Sequence, residues 1–537
     1  MVGRYKRGVG RAGKKTAKQS ARAEKHEQQQ LEPYADRPLF AELKQNRQFI
    51  AQQMGESADV IFREMQLMNS IRTNVLVVYV QGMVDDERMN EFVLQPLHRE
   101  RFAQAAEARP DELPGMFKNH VLSTGIVNEI KDWKQFFEKL LLGYCLILFE
   151  GTSKAISSSV VGGERRGIEE PKTEMAIRGP REGFTESIRV NTAMIRRKIR
   201  SPKLWLEQKT IGELTQTPVC IMYIQGLADE NVLKDLRERL DAIKIDGVLE
   251  SGYIEELIEE QMWTPFPTVM NIERPDAVAG NLLEGRIAIL VDGTPFVLIV
   301  PTIMNMFFQS SEDYYQRYDI ATFLRMLRFV SFLIALLMPS VYVAIVSYHQ
   351  EMIPTQLLLK LAAQREGVPF PAYLEAFIME LVFEILREAV IRMPSAAGNT
   401  ISIVGGLVIG QSVVEAGIVS PAVVIVVSFT AIASFVSPAY SLGIAARLLR
   451  FLLLLAASTL GFYGIGLVVL LLLLHLSNIR SFGIPYTKPF APLYFKDLKD
   501  TLVRAPLWLM RERPQKLAVN NPVREQIELE PRKEPGQ

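Results

Sequence analysis

The sequence predicts an α/β soluble N-terminal region of two repeated subdomains followed by an α-helical polytopic membrane domain of about four spans plus an amphipathic helix. Three observations predict it. Hydrophobic residues make up 48% of the 537 positions although 23% are charged, and they crowd into the stretch after about Phe329, while the first three hundred residues have ordinary globular composition. VYVQGMVDD at 78–86 recurs as MYIQGLADE at 222–230, and LGYCLILFEGTS at 142–153 recurs as EGRIAILVDGTP at 284–295, at offsets of 144 and 142 residues. The apolar half, finally, divides into uncharged runs of membrane-crossing length.

Residues 1–32 form a basic tail. Its first 25 residues hold nine Lys or Arg against the single Glu24, a composition that cannot bury a core and suits either a solvated tail or one lying on anionic lipid headgroups. It lacks an apolar signal-peptide core, so export of the N-terminus is not expected. The net charge of +1 averages unlike regions, and nothing points to nucleic acid. Cys145 and Cys220 both sit in apolar strand-like runs, as reduced core residues rather than a disulfide.

Subdomain 1 covers 33–173; a linker and subdomain 2 cover 174–320. In each copy a buried strand ends in Gln-Gly (Gln81-Gly82, Gln225-Gly226), where glycine permits a sharp exit into a helix started by Asp85 or Asp229. Each copy closes on Glu150-Gly151 or Asp292-Gly293, pairs suited to a type I′ hairpin turn, so these acids read as structural rather than catalytic. Between the copies, RGPREGF reads as a turn or strap leading into a basic helix through Arg196, Arg197, Lys198 and Arg200. Neither it nor GGERRG at 162–167 has the spacing of a phosphate-binding loop.

The membrane domain is placed at 321–478. Phe329–Tyr348 crosses, with a kink expected at Pro339; ISIVGGLVIGQSVVEAGIVS at 401–420 crosses; Pro421–Val436 is short but uncharged; and Phe451–Leu474 counts as one tilted span. The segment 373–392 is different. Its Glu380, Glu384 and Glu388 recur every four residues beside Arg387 and Arg392. Ten apolar side chains contribute roughly 4–5 kcal/mol toward insertion, whereas three carboxylates cost roughly 7–10 kcal/mol. This amphipathic helix should lie in the interface, re-enter partway or face other protein. Four spans put both ends on one side, and Arg317, Arg325 and Arg328 before the first span and Arg480, Lys488, Lys496 and Lys499 after the last make that side the cytoplasm, including the tail at 479–537. Arg447 and Arg450 disagree with that count.

No enzyme constellation can be assembled: the five histidines are scattered, no His or Cys pair has zinc spacing, and there is no nucleophile elbow. The expectation is therefore no catalytic residue, no metal and no cofactor. The runs IRGPREGFTE, NTAMIRRKIRSP, LLEGRIAILVDGTPFVLIVPT, SSEDYYQRYD, FEILREAVIRMPSAAGNTISIVGGLVIGQSVVEAGIVS and SFVSPAY, spread in order from about Glu174 to Pro492, resemble the A subunit of the GerA-type nutrient germinant receptors of bacterial spores. That resemblance implies a subunit of the spore inner membrane working with a transporter-like, nutrient-binding B subunit and a C-subunit lipoprotein. It also implies self-association, as a pentamer, into a nutrient-gated cation channel.

Such a ring gives the polar residues of 401–420 a purpose. Val404, Val408, Gln411 and Glu415 follow one helical stripe, with Ser412 beside it, and Gly406-x-x-x-Gly410 permits close helix packing. One carboxylate per copy would make a cation-attracting ring around water, with Val408 as an apolar constriction. Alternatively Glu415 pairs with a buried Arg or lies near the headgroups. Three classes follow: a gated channel, a secondary transporter, for which inverted repeats are missing, and a non-conducting receptor or scaffold that relays a signal from the B subunit.

Overall fold

The computed structural model describes residues 37–67, 73–98, 110–118, 122, 126–162, 170–171, 174, 176–393, 410–515 and 521–524. Two five-stranded antiparallel sheets build the soluble half. The first contains β1 (Val60–Gln66), β2 (Asn74–Val80), β3 (Val127–Ile130), β4 (Cys145–Phe149) and β5 (Ala155–Ser158), in the order β1-β2-β4-β5-β3. The second contains β6 (Leu204–Ile211), β7 (Thr217–Ile224), β8 (Met270–Ile272), β9 (Ile287–Val291) and β10 (Val297–Val300), in the order β6-β7-β9-β10-β8. The inner strands NVLVVYV, CLILF and IAILV are continuous apolar runs because both faces of each sheet are covered. On the first sheet, α1 (Leu43–Met54) and α2 (Trp133–Leu141) cover one face. On the second, α3 (Ile188–Lys198) and α6 (Pro275–Leu283) cover one face, and α4 (Glu230–Ala242) and α5 (Ser251–Ile258) the other.

The sheets agree residue by residue. Val60 pairs with Val80 as Leu204 pairs with Ile224; Val75 with Phe149 as Val219 with Val291; Ile147 with Ile156 as Ile289 with Leu298. Asn46 exchanges hydrogen bonds with the Phe40 backbone as Asn191 does with that of Thr185. The Gln81 amide donates to the Asp59 carbonyl and the Gln225 amide to that of Lys203, each at 2.8 Å, and Gly82 and Gly226 both sit at φ 77°. Asp85 and Asp229 cap the helices that follow, as expected.

The type I′ turns do not form. Five residues separate β4 from β5 and β9 from β10, and positive φ is confined to Gly151 (84°) and Gly293 (90°), whereas a type I′ turn needs it at both central residues. The acids turn instead to a helix start. Asp292 accepts the Ile188 amide at 3.0 Å and Glu150 the Leu43 amide at 3.4 Å, satisfying donors that a helix cannot satisfy internally. Helix α3 joins the halves: Ala193 belongs to the first core, Met194 and Ile195 to the second. The fully buried Arg196 binds both carboxylate oxygens of Asp59 and donates to the Leu204 carbonyl at 3.0 Å. Both thiols are buried, free and pushed up to about 12 by desolvation.

The helical half comprises α7 (Tyr318–Tyr348), α8 (Thr355–Arg365), α9 (Ala372–Arg392), α10 (Gly410–Glu415), α11 (Pro421–Ser434) and α12 (Tyr440–Asn478). Among the described residues, α7 and α12 are long and apolar enough to cross a membrane. Pro339 lies inside α7 without ending it. A single span over 451–474 is overturned: Gly461 takes φ 57°, ψ −137° inside α12. A Cβ on Gly464 would lie 2.2 Å from the Ala456 carbonyl oxygen, whereas eight residues of straight helix would separate the two by about 12 Å. The chain therefore doubles back into two arms, 440–460 and 462–478, which at 1.5 Å per residue are about 31 and 25 Å long. The far tip of the hairpin meets the end of α7, where the Tyr348 hydroxyl donates to the Ser458 carbonyl at 2.5 Å and His349 packs on Phe462. The second arm returns to the sheets, where His475 Nε2 lies 2.9 Å from Thr264 Oγ1.

Candidate functional site

The charged stripe of α9 turns inward. Four elements place it: α7, α9, α11 and the first arm of α12 pack as one bundle around Phe332, Val343, Met379, Val427 and Leu449. Glu375, on the first turn of α9, is fully buried, accepts the Ser420 amide at 2.8 Å and faces Arg365 at 3.3 Å. One turn on, Glu380 binds Arg450 at 2.5 Å, and Arg450 also donates to the Ala335 carbonyl of α7 at 2.7 Å. Next, Glu384 pairs with Arg447 at 3.0 Å and Arg387 at 3.5 Å. Arg387 then donates to Ser434 Oγ at 2.9 Å between the rings of Phe383 and Phe435. The last pair, Glu388 with Arg392, is at the surface.

The charged face of this helix, for most of its length, meets other parts of the same protein. Arg447 and Arg450, discordant with the span count, are the counter-ions of its stripe. Sequence spacing gives the stripe but not its partner, because the two strings are some sixty residues apart. The ladder is incompletely bonded within the protein: Glu380 Oε1 and Arg450 Nη2 are buried and accept or donate no hydrogen bond to another protein group.

Where α7 enters the soluble half, a second cluster gathers. Arg325 donates to Asp313 at 2.9 Å, to Asp500 at 2.8 Å and to the Thr501 carbonyl at 3.2 Å; Arg328 adds a 2.8 Å contact to Asp313 and Tyr314 OH a 2.8 Å bond to Asp500. Burial pushes the Asp500 carboxyl above its usual range, with Arg325 acting against it. The sequence treats Arg325 and Arg328 only as a positive flank; in the fold they tie the 311–314 turn, α7 and the C-terminal segment into one knot. The sequence signal is SSEDYYQRYD, whose Asp313 is twelve residues before Arg325.

On the pore stripe, Gln411 and Ser412 lie on the exposed face of α10, as does Glu415, which accepts a 2.8 Å bond from Gln411 Nε2. Val404 and Val408 lie outside the described residues, as do most of GGERRG and the glycine pair's first member, Gly406. Glu415 thus has a neutral partner instead of a buried Arg, and its helix stands on the exposed side of the bundle.

The family description "Bacillus/Clostridium GerA spore germination protein" matches residues 48–516. The chain belongs to the GerA family. The resemblance carried by its motifs is thereby borne out. It is similar to spore germination protein KA of Bacillus subtilis (strain 168), at 50% identity over 473 residues, covering 88% of this chain and 86% of that one. It is also similar to spore germination protein GerLA of Bacillus cereus, at 42% identity over 479 residues, covering 89% and 95%. Among solved structures, the N-terminal domain of the A subunit of the Bacillus megaterium germinant receptor GerK3 is matched at 38% identity with a TM-score of 0.40, over 50% of this GerA-family chain and 97% of that domain.

Proposed function

We propose that this chain is the A subunit of a nutrient germinant receptor and that copies of it assemble, as a pentamer, into a gated cation channel in the spore inner membrane. The B subunit is the nutrient-binding, transporter-like partner and the C subunit a lipoprotein. The observation that carries the channel reading is Glu415 with Gln411: a carboxylate on the exposed face of a helix in the apolar half, partnered by a neutral amide. Facing lipid it would cost several kcal/mol; facing a water-filled axis between copies it costs little and draws cations. The two sheets are read as two copies of one subdomain forming the assembly surface, supported by their shared strand order and register. Both ends of the bundle are read as lying on the cytoplasmic side, a reading supported by the meeting of Arg325 with Asp500 and of His475 with Thr264 and by the basic flanks.

On this reading a shift of the soluble half passes through the Asp313–Arg325–Asp500 knot to α7, and from the Ala335 carbonyl through Arg450 to Glu380. Rubidium efflux from vesicles carrying the full receptor tests it. Glu415→Gln assembles normally and passes cations more slowly; Val408→Ala leaks without any nutrient, because trimming a narrow apolar ring favours wetting. If both variants assemble and conduct like the parent, this helix does not line the pore.

A further inference from the structure

We propose that the turn at Met262 and Trp263 is an anchor seated in the headgroup layer of the bilayer, fixing the height and tilt of the second sheet over the membrane. The proposal rests on the membrane reading above. Trp263 is 96% exposed and Met262 75%, adjacent large apolar side chains for which soluble folding provides no use. The turn is held at a defined place. Gln261 Nε2 donates to the Asn478 carbonyl at 3.4 Å, Thr264 Oγ1 lies 2.9 Å from His475 Nε2, and Phe266 is buried in the helical core with Phe307 and Leu476.

These tethers grip the end of the returning arm, one residue beyond its exposed Leu473 and Leu474. The tethers therefore hold the turn beside the end of an arm whose exposed side chains just before it, Leu473 and Leu474, are apolar. Arg480, two residues past the helix end, is exposed and supplies a positive charge at the level of anionic phosphates. An indole suits that layer: its ring is apolar and its N–H reaches the polar zone. A single exposed Trp on a free loop would carry no such meaning; tied at both sides to the mouth of a crossing helix, it has one depth available.

Depth-dependent quenching decides it. The full chain is reconstituted into phosphatidylethanolamine–phosphatidylglycerol vesicles with bromine at shallow or deep acyl positions, beside Trp263→Phe. Trp133, Trp205 and Trp508 are common to both proteins, so the difference between parent and variant reports Trp263. The expected result is a shallow-bromine-quenched component, shielded from iodide, that the variant loses while still floating with the vesicles. Quenching of that component by iodide alone would mean that the side chain stands in water; its insensitivity to both quenchers would mean that another protein covers it; either overturns the anchor while leaving the membrane reading intact. If neither protein stays with the vesicles after an alkaline wash, the membrane reading falls and the anchor with it.

Discussion

The soluble and helical halves both contain a buried arginine–carboxylate pair that joins separate elements, Arg196–Asp59 and Arg450–Glu380, and they bond it differently. Arg196 and Asp59 lock the two sheets together with each of the three guanidinium nitrogens bonded, two to the carboxylate and one to the Leu204 carbonyl. Arg450 and Glu380 sit between α9 and α12 with one nitrogen and one oxygen unbonded. A saturated pair has one low-energy arrangement and rigidifies its surroundings, while an unsaturated one leaves alternatives nearby. On the proposed channel reading, the contrast sets the fixed joint between the sheets and the movable joint inside the bundle.

Breaking either pair produces the largest effects. Asp59→Ala leaves a buried guanidinium uncompensated and lowers stability by about 3–5 kcal/mol, read as a fall in the melting midpoint of the full chain. Glu380→Ala costs on the same order, but here substituting both partners with methionine restores assembly, since well-packed apolar groups replace a buried ion pair at little or no cost. A double variant that melts as low as the single one would show that the ladder is structural in more than charge.

Two glycines sharpen the comparison at the next level. Gly226 in the second subdomain has positive φ but open space around it, so Gly226→Ala costs about 1 kcal/mol. Gly461 at the hairpin tip has positive φ and would press a Cβ within 3.0 Å of Tyr348 and His349, so Gly461→Ala costs roughly 1–3 kcal/mol more by thermal unfolding. Equal losses would mean that the tip yields freely.

A smaller effect belongs to the soluble half alone. Burial, reinforced by Glu259 and Glu250, raises Glu255 to about 7. Its folded value lies above the unfolded one, so the protonated form is the one folding favours. That contribution is complete below about pH 4.5 and lost as pH rises toward 7, on the order of 1–2 kcal/mol after allowing for its partial exposure. Glu255→Gln flattens this decline in a stability-versus-pH series; an unchanged slope would assign it elsewhere. The smallest effect is Arg392→Ala, whose pairing with Glu388 is exposed, at roughly 0–0.5 kcal/mol.

Much of this was legible from residue order. The doubled blocks announce matching sheets because strand registers and turn glycines repeat at nearly constant offset, and the four-residue spacing of Glu380, Glu384 and Glu388 announces a buried-or-interfacial face. What stayed hidden depends on distant pairing. Hydropathy averages over Gly461, so a hairpin reads as one span; Glu150 and Asp292 look like turn residues until the helix start they accept from is brought beside them. The roles of Arg447 and Arg450 follow only when α12 is laid along α9.

Whether the bundle's charge ladder is the joint that moves is read from basal rubidium efflux from vesicles carrying the assembled receptor with Glu380→Met and Arg450→Met together. Normal assembly and a raised efflux without nutrient are expected, because the closed arrangement of α9 against α12 loses its electrostatic latch. Normal assembly with efflux as low as the parent's would contradict it.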